Sequence, residues 1–90
     1  MNEKIKERLS KVSDINLEKI SEDLQVKKGL SEREVDIFFV VGSGVNNSEA
    51  AEKLHVTEGT VKFHLTNVFR KLDIKSRSRL VLLAHGLEAL

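Results

Sequence analysis

Cysteine, proline, tryptophan and tyrosine are all missing from this 90-residue chain, and phenylalanine occurs only four times. Without cysteine there is no disulfide framework, no thiolate zinc site and no cysteine nucleophile, and nothing calls for an oxidising compartment. So few aromatics alongside 32% charged residues argue against a sandwich or barrel of aromatic-rich strands and for helices, so the expected fold class is all-α. Long apolar runs are missing too. No stretch approaches the roughly 18 apolar residues of a membrane span, and the N-terminal MNEKIKERLSKV alternates charge with apolar residues instead of forming a signal-peptide core. No membrane partner is expected, and the location expected is cytoplasmic. One domain of this size buries only about 60 to 65% of its unfolded surface. That leaves little room for a deep pocket with buried catalytic groups, so a binding module is expected and an enzyme is not.

The net charge of +1 hides a gradient along the chain. Residues 30–56 carry Arg33 and Lys53 against five carboxylates, a net −3, whereas residues 57–79 carry Lys62, Arg70, Lys71, Lys75, Arg77 and Arg79 against Glu58 and Asp73, a net +4. A basic third of this kind is the electrostatic footprint of a nucleic-acid partner.

Apolar spacing divides the chain into helices. Ile5, Leu9 and Val12 form a narrow stripe that Ser13 and Asp14 interrupt; Ile15, Leu17, Ile20, Leu24 and Val26 resume it, and Lys27, Lys28 and Gly29 supply a helix stop. Residues 1–29 therefore read as an N-terminal helical extension, either one interrupted helix or two short ones. Ser31 with Glu34 is a capping box opening a helix to about Val41 that buries Val35, Ile37, Phe38, Val40 and Val41 before Gly42-Ser43-Gly44. Asn46 with Glu49 opens a short helix to Leu54, with Ala50, Ala51 and Leu54 facing inward. Thr57 caps a third helix to Leu72 along the stripe Val61, Leu65, Val68, Phe69 and Leu72. Ser76 caps a last helix to about Gly86, in which Leu80, Val81, Ala84 and Leu87 seal the core.

A short helix with two alanines and a longer amphipathic one, joined by about four residues, match the helix-turn-helix DNA-binding unit; an αα-hairpin in a plain helical bundle is the blander alternative. The outer face of the longer helix favours the first. Glu58, Gly59, Lys62, Phe63 and Thr66 lie there: Lys donates to guanine or phosphate, Glu accepts from cytosine N4, Phe packs on a thymine methyl, and Thr hydrogen-bonds.

From Leu30 to Leu87 the chain resembles the LuxR-type (LuxR/FixJ/GerE) helix-turn-helix domain of bacterial transcription regulators. That family's Leu-Thr-x-Arg-Glu stands here as Leu30-Ser31-Glu32-Arg33-Glu34, and its Gly-x-Ser-Asn-Lys-Glu-Ile-Ala as Gly44-Val45-Asn46-Asn47-Ser48-Glu49-Ala50-Ala51. Its Thr-Val-Lys-x-His-x-x-Asn-(Ile/Val)-x-x-Lys-Leu is present without a gap from Thr60 to Leu72, and its trailing Arg and apolar helix fit Arg77, Leu80, Val81 and Ala84. Ser48, Ala50 and Thr66 depart from the pattern, replacing a frequent Lys, a large apolar residue and, in some members, a basic residue.

The resemblance implies a compact four-helix domain over residues 30–90 that inserts the helix 58–72 into the major groove. Glu58, Lys62, Phe63 and Thr66 would then read bases, and Asn47, Thr57, Thr60, His64, Asn67 and Lys71 would contact phosphates. It also implies dimerisation through the last helix, where Leu82, Leu83 and Leu90 are left over, on an inverted repeat. The partners expected are double-stranded DNA, a second copy of the chain, and RNA polymerase or a second regulator. No cofactor is expected, and the chain reads as a free-standing bacterial regulator or as the C-terminal piece of a longer one, with Met1 favouring the first. The rivals are a C-terminal-region-like domain of sigma factors, against which the capped last helix argues, and a module that pairs with and silences a full-length regulator without touching DNA, against which Thr60, Lys62 and Asn67 argue. His55, His64 and His85 are too far apart for a metal site, Glu22-Asp23 lacks the apolar pocket of an acid-base pair, Gly42-Ser43-Gly44 lacks the context of a phosphate loop, and Lys27-Lys28 complements a helix C-terminus.

Overall fold

The computed structural model describes residues 14–90, with side chains from Leu17 onward. Ile5, Leu9 and Val12 of the expected N-terminal stripe, and the Ile15 side chain, lie outside the described residues. Five helices follow in order: α1 Asp14–Val26, α2 Glu32–Gly42, α3 Asn47–Leu54, α4 Glu58–Leu72 and α5 Arg77–Ala84. No strand occurs among the described residues, in line with the all-α expectation.

The local signals that start α2 to α5 act as read. Ser31 accepts from the Glu34 amide while the Glu34 carboxylate accepts from the Ser31 amide at 2.9 Å, and Asn46 and Glu49 repeat the exchange at the start of α3. Thr57 and Ser76 cap α4 and α5 by accepting from Thr60 and Arg79 amides. Gly29 and Gly44 adopt positive φ after α1 and α2, the conformation that glycine reaches without strain.

α2 is the centre of the molecule. Ile37 to Val41 are all at most 1% exposed, so Phe39 joins the expected inward set: α2 packs against α1, α3, α4 and α5 and has no free side over this stretch. Phe38 and Phe39 meet edge to face with ring centroids 5.1 Å apart. α1 adds Leu17 and Leu24 to the same core, with half-buried Ile20 packed on it. Val26, expected inward, is instead 76% exposed, because two helical positions beyond Leu24 point to the opposite side.

The last helix is rotated from its expected phase. Leu80, Leu83 and Ala84 are buried, Val81 is half-buried, and Leu87 is 70% exposed. α5 ends at Ala84, and Gly86 at φ +71 turns the chain so that the Leu87 amide donates to the Leu82 carbonyl at 2.9 Å. Leu87 therefore lies beyond the helix, and the stripe that seals the core is i, i+3, i+4. What sets this phase is the crossing with α2, where a Cβ built at Gly42 would overlap the Ala84 Cβ. His85 Nε2 also lies 3.0 Å from the Gly42 carbonyl, so its role is to satisfy the end of α2.

Candidate nucleic-acid interface

α3 and α4 meet through a short turn in which His55, at φ +57, closes α3 and the Val56 amide donates to the Ala51 carbonyl. Thr57 then starts α4. Ala50 at 0% and Ala51 at 6% exposure allow a close crossing of the two helices, and Ala50 needs no large side chain to be fully covered. The inner face of α4 is Val61, Leu65, Val68 and Leu72. Its outer face therefore presents Glu58, Lys62, Phe63 and Thr66, all exposed.

Two long-range clamps hold this unit. Arg77, at the start of α5, donates to the Val45 carbonyl and to Asn47 Oδ1, both at 2.8 Å, and so fixes the entry of α3. At the other end, the Lys71 ammonium bonds the Glu34 carboxylate at 2.6 Å and the Gly29 carbonyl at 3.0 Å, tying the C-terminus of α4 to the capping box of α2. Burial pushes the Glu34 carboxyl up, but hydrogen bonds from Lys71 and the Ser31 amide, with the Lys71 charge, outweigh it and hold the group below its ordinary value.

Several side chains named from the sequence are thereby committed. Lys71, expected at a phosphate, faces Glu34 in the free protein with 26% of its side chain exposed: the capping box turns a carboxylate toward the end of α4 and captures the nearest ammonium. Asn47 spends its carbonyl on Arg77, leaving its amide hydrogens. Thr57 and Thr60 share one hydrogen between their hydroxyls at 3.0 Å, which leaves one to donate outward. Asn67 accepts from Arg70 at 3.4 Å. His64 is half-buried, its ring edge-to-face with Phe63, and its Nδ1 is buried without a partner among the described residues. Thr66 donates its hydroxyl to the Lys62 carbonyl one turn back, at 2.9 Å.

The three leucines set aside for a dimer separate as well. Leu83, at 3% exposure, is core and not outer surface, because the α5 phase puts it beside Leu80 and Ala84; Leu90 is half-buried against the core; Leu82, at 38%, faces out. Arg77 as a clamp and Glu34 as the partner of Lys71 were not visible in the sequence, since their partners lie 30 or more residues away. Of the six cations in the basic third, Lys71 and Arg77 are engaged inside the fold and Arg79 pairs with Glu88 at 3.2 Å. Lys62, Arg70 and Lys75 are exposed.

Among the described residues, no cluster of three His, Cys, Asp or Glu could hold a metal ion, and no helix is long and apolar enough to cross a membrane.

Residues 28–84 match the family described as bacterial regulatory proteins, luxR family. The chain is 48% identical over 50 residues to the transcriptional regulatory protein LnrK of Bacillus subtilis (strain 168), covering 56% of this chain and 23% of that protein. It is 38% identical over 58 residues to the transcriptional regulatory protein LiaR of the same organism, covering 64% of this chain and 28% of LiaR. To the response regulator protein VraR of Staphylococcus aureus (strain Mu3 / ATCC 700698) it is 38% identical over 55 residues, 61% of this chain and 26% of VraR. The chain thus spans about a quarter of the length of these relatives. No solved structure matches it.

Proposed function

Because the chain belongs to the luxR family of bacterial regulatory proteins, with a helix-turn-helix DNA-binding domain, we propose that it is a sequence-specific transcription regulator that lays α4 in the major groove of double-stranded DNA. The observation that carries this is the outer face of α4. Lys62 has no ion-pair partner among the described residues and projects beside Glu58, Phe63 and Thr66 from a helix whose inner face is fully used by the core. A groove-facing set needs that division of labour, with packing fixing the helix and unengaged polar groups reading base edges. The spare hydroxyl hydrogen of the Thr57–Thr60 pair and the amide hydrogens of Asn47 and Asn67 are donors suited to phosphates on either side. Domain-wise, residues 30–90 form the DNA-binding unit and residues 1–29 an extension that lends Leu17 and Leu24 to its core.

Lys62→Ala is expected to weaken binding to a preferred duplex by about 1–3 kcal/mol with no change in melting. With three exposed cations available besides Arg79, which pairs with Glu88, log affinity should fall against log salt with a slope of about −3 per copy, at ~0.9 counterion per contact, and Lys62→Ala should flatten it by about 1. A salt-independent interaction, or undiminished affinity in the variant, contradicts the reading and favours the silencing module.

Dimerisation is proposed through α5, whose Leu82 faces outward near the exposed Leu87. An outward leucine on α5 with a second just beyond its end suits a self-complementary two-fold contact, which would space two α4 helices by about 34 Å on an inverted repeat. Leu82→Asp should shift sedimentation toward the monomer while melting holds. Leu83→Asp should unfold the chain instead. Sedimentation of Leu82→Asp identical to the parent's would exclude this surface.

A further inference from the structure

Phenylalanine is scarce in this chain, and three of the four copies serve the core: Phe38 and Phe39 are fully buried and Phe69 packs against the cluster. Phe63 does neither. It is 66% exposed on the outer face of α4, and its ring leans edge-to-face on His64, with centroids 5.4 Å apart and planes at 67°. An aromatic ring in water is disfavoured by the hydrophobic effect, and this one is braced by a neighbour, so less side-chain freedom is lost when something covers it.

The space and the polar groups around it are as informative. One turn earlier stands Gly59, the second residue of α4. Its backbone does not need the left-handed region, and a Cβ there would meet only Thr57 Oγ1, at 3.8 Å. Neither packing nor dihedral angle in the free protein requires glycine at this position, and the space that its missing side chain leaves is open to a group from outside. One turn later, Thr66 has committed its hydroxyl hydrogen to the Lys62 carbonyl. It keeps acceptor lone pairs and a methyl but has no hydrogen to donate. Of the four outer side chains, only Lys62 is left as a donor, and the middle of the surface is apolar.

Among base edges in the major groove, the one apolar group is the C5 methyl of thymine. We propose, on the footing that the chain binds DNA through α4, that Phe63 reads a thymine methyl in the gap left at Gly59, and that this contact, more than hydrogen bonding by Thr66, sets the sequence preference. The ligand is therefore a half-site with thymine at the position facing Phe63 and a base or phosphate within reach of Lys62.

The test uses the full chain and a randomised duplex library. Thymidines in the enriched sequence are replaced one at a time by deoxyuridine, which removes the methyl and keeps every hydrogen-bonding group. One replacement per half-site should weaken binding about fourfold, the effect of burying one methylene-sized group, and Phe63→Ala should bind the two probes equally. Gly59→Ala should hold or raise the melting temperature and still lose affinity for the thymidine probe. Indifference to deoxyuridine at every position, or the same penalty in Phe63→Ala, overturns the proposal while leaving DNA binding intact. If Phe63→Ala alone binds the thymidine probe as tightly as the parent, the exposed ring serves a protein partner and the proposal fails. If nothing is enriched from the library and no duplex is bound, it is the DNA-binding reading itself that falls.

Discussion

Replacing Lys71 with methionine is expected to lower the stability of the fold by about 2–3 kcal/mol and to weaken its response to acid. The size follows from leaving a charge buried without its partner, which costs roughly 3–5 kcal/mol for a fully enclosed pair; the figure is reduced because the ammonium is 26% exposed. Methionine keeps the stem's packing, so the loss isolates the charge. The sign follows from linkage. In the parent chain the folded Glu34 carboxyl is held below its ordinary value, so its contribution is present above about pH 4.3, the unfolded value, and is lost as pH falls through the lower folded one. In Lys71→Met, burial is opposed only by the hydrogen bonds to the Ser31 amide and hydroxyl, so the folded carboxyl moves up from where it stands in the parent. The gap to the unfolded value narrows with that upward move, and the stability that Glu34 loses in acid shrinks accordingly. Melting curves at about pH 3.5, 4.5 and 6 should climb with pH in the parent and climb less in the variant. Glu34→Gln serves as the control, because glutamine still completes the capping box and cannot titrate: its profile should be flatter than the parent's. Parallel profiles in all three chains would show that the Glu34–Lys71 contact does not carry the pH response.

That pair also marks where reading the sequence stopped working. The helix starts were legible because each is a local transaction: Ser31 with Glu34, Asn46 with Glu49, Thr57 with Thr60 and Ser76 with Arg79 all close over three residues. So were the buried faces of α3 and α4, where apolar spacing has one solution. The bond from Lys71 to Glu34 was not foreseen because polarity at a helix end looks outward until the partner 37 residues earlier is known. Arg77 was seen as a matching residue but not as the clamp on Val45 and Asn47, for the same reason. Phe39 was missed because a five-residue apolar run has no periodicity to choose a face; being surrounded by four helices removes the choice. The α4 outer set was legible as a list of residues, but the commitment of the Thr66 hydroxyl to its own helix was not, since a threonine at that spacing can turn either way.

The phase of α5 failed for a different reason, and it leads to the second large effect. From sequence, Leu80, Val81, Ala84 and Leu87 and the observed Leu80, Leu83 and Ala84 are both sound helical stripes; the choice is made by how near α5 comes to α2. That distance is set by a residue with no side chain. Gly42→Ala should therefore destabilise the chain although alanine is the better helix former, because the added methyl would occupy the position of the Ala84 Cβ. Overpacking of this kind costs about 1–3 kcal/mol, a fall in melting temperature on the order of 10 °C for a domain this small. The overlapping atom is the Ala84 Cβ, fixed to the α5 backbone, so relief requires α5 to move away. Movement there reaches the DNA-facing unit, since α5 begins with Arg77 and Arg77 fixes the entry of α3 at Val45 and Asn47. Gly42→Ala should thus lose DNA affinity at temperatures where it is still folded, which a purely local loss of stability does not produce. Combining it with Ala84→Gly exchanges the small residue across the crossing and removes the overlap; the double variant should be more stable than the sum of the two single losses by at least about 1 kcal/mol. Additive losses would mean that Gly42 is destabilising to replace for some reason other than its contact with Ala84, and the argument that this crossing sets the α5 phase would fall with it.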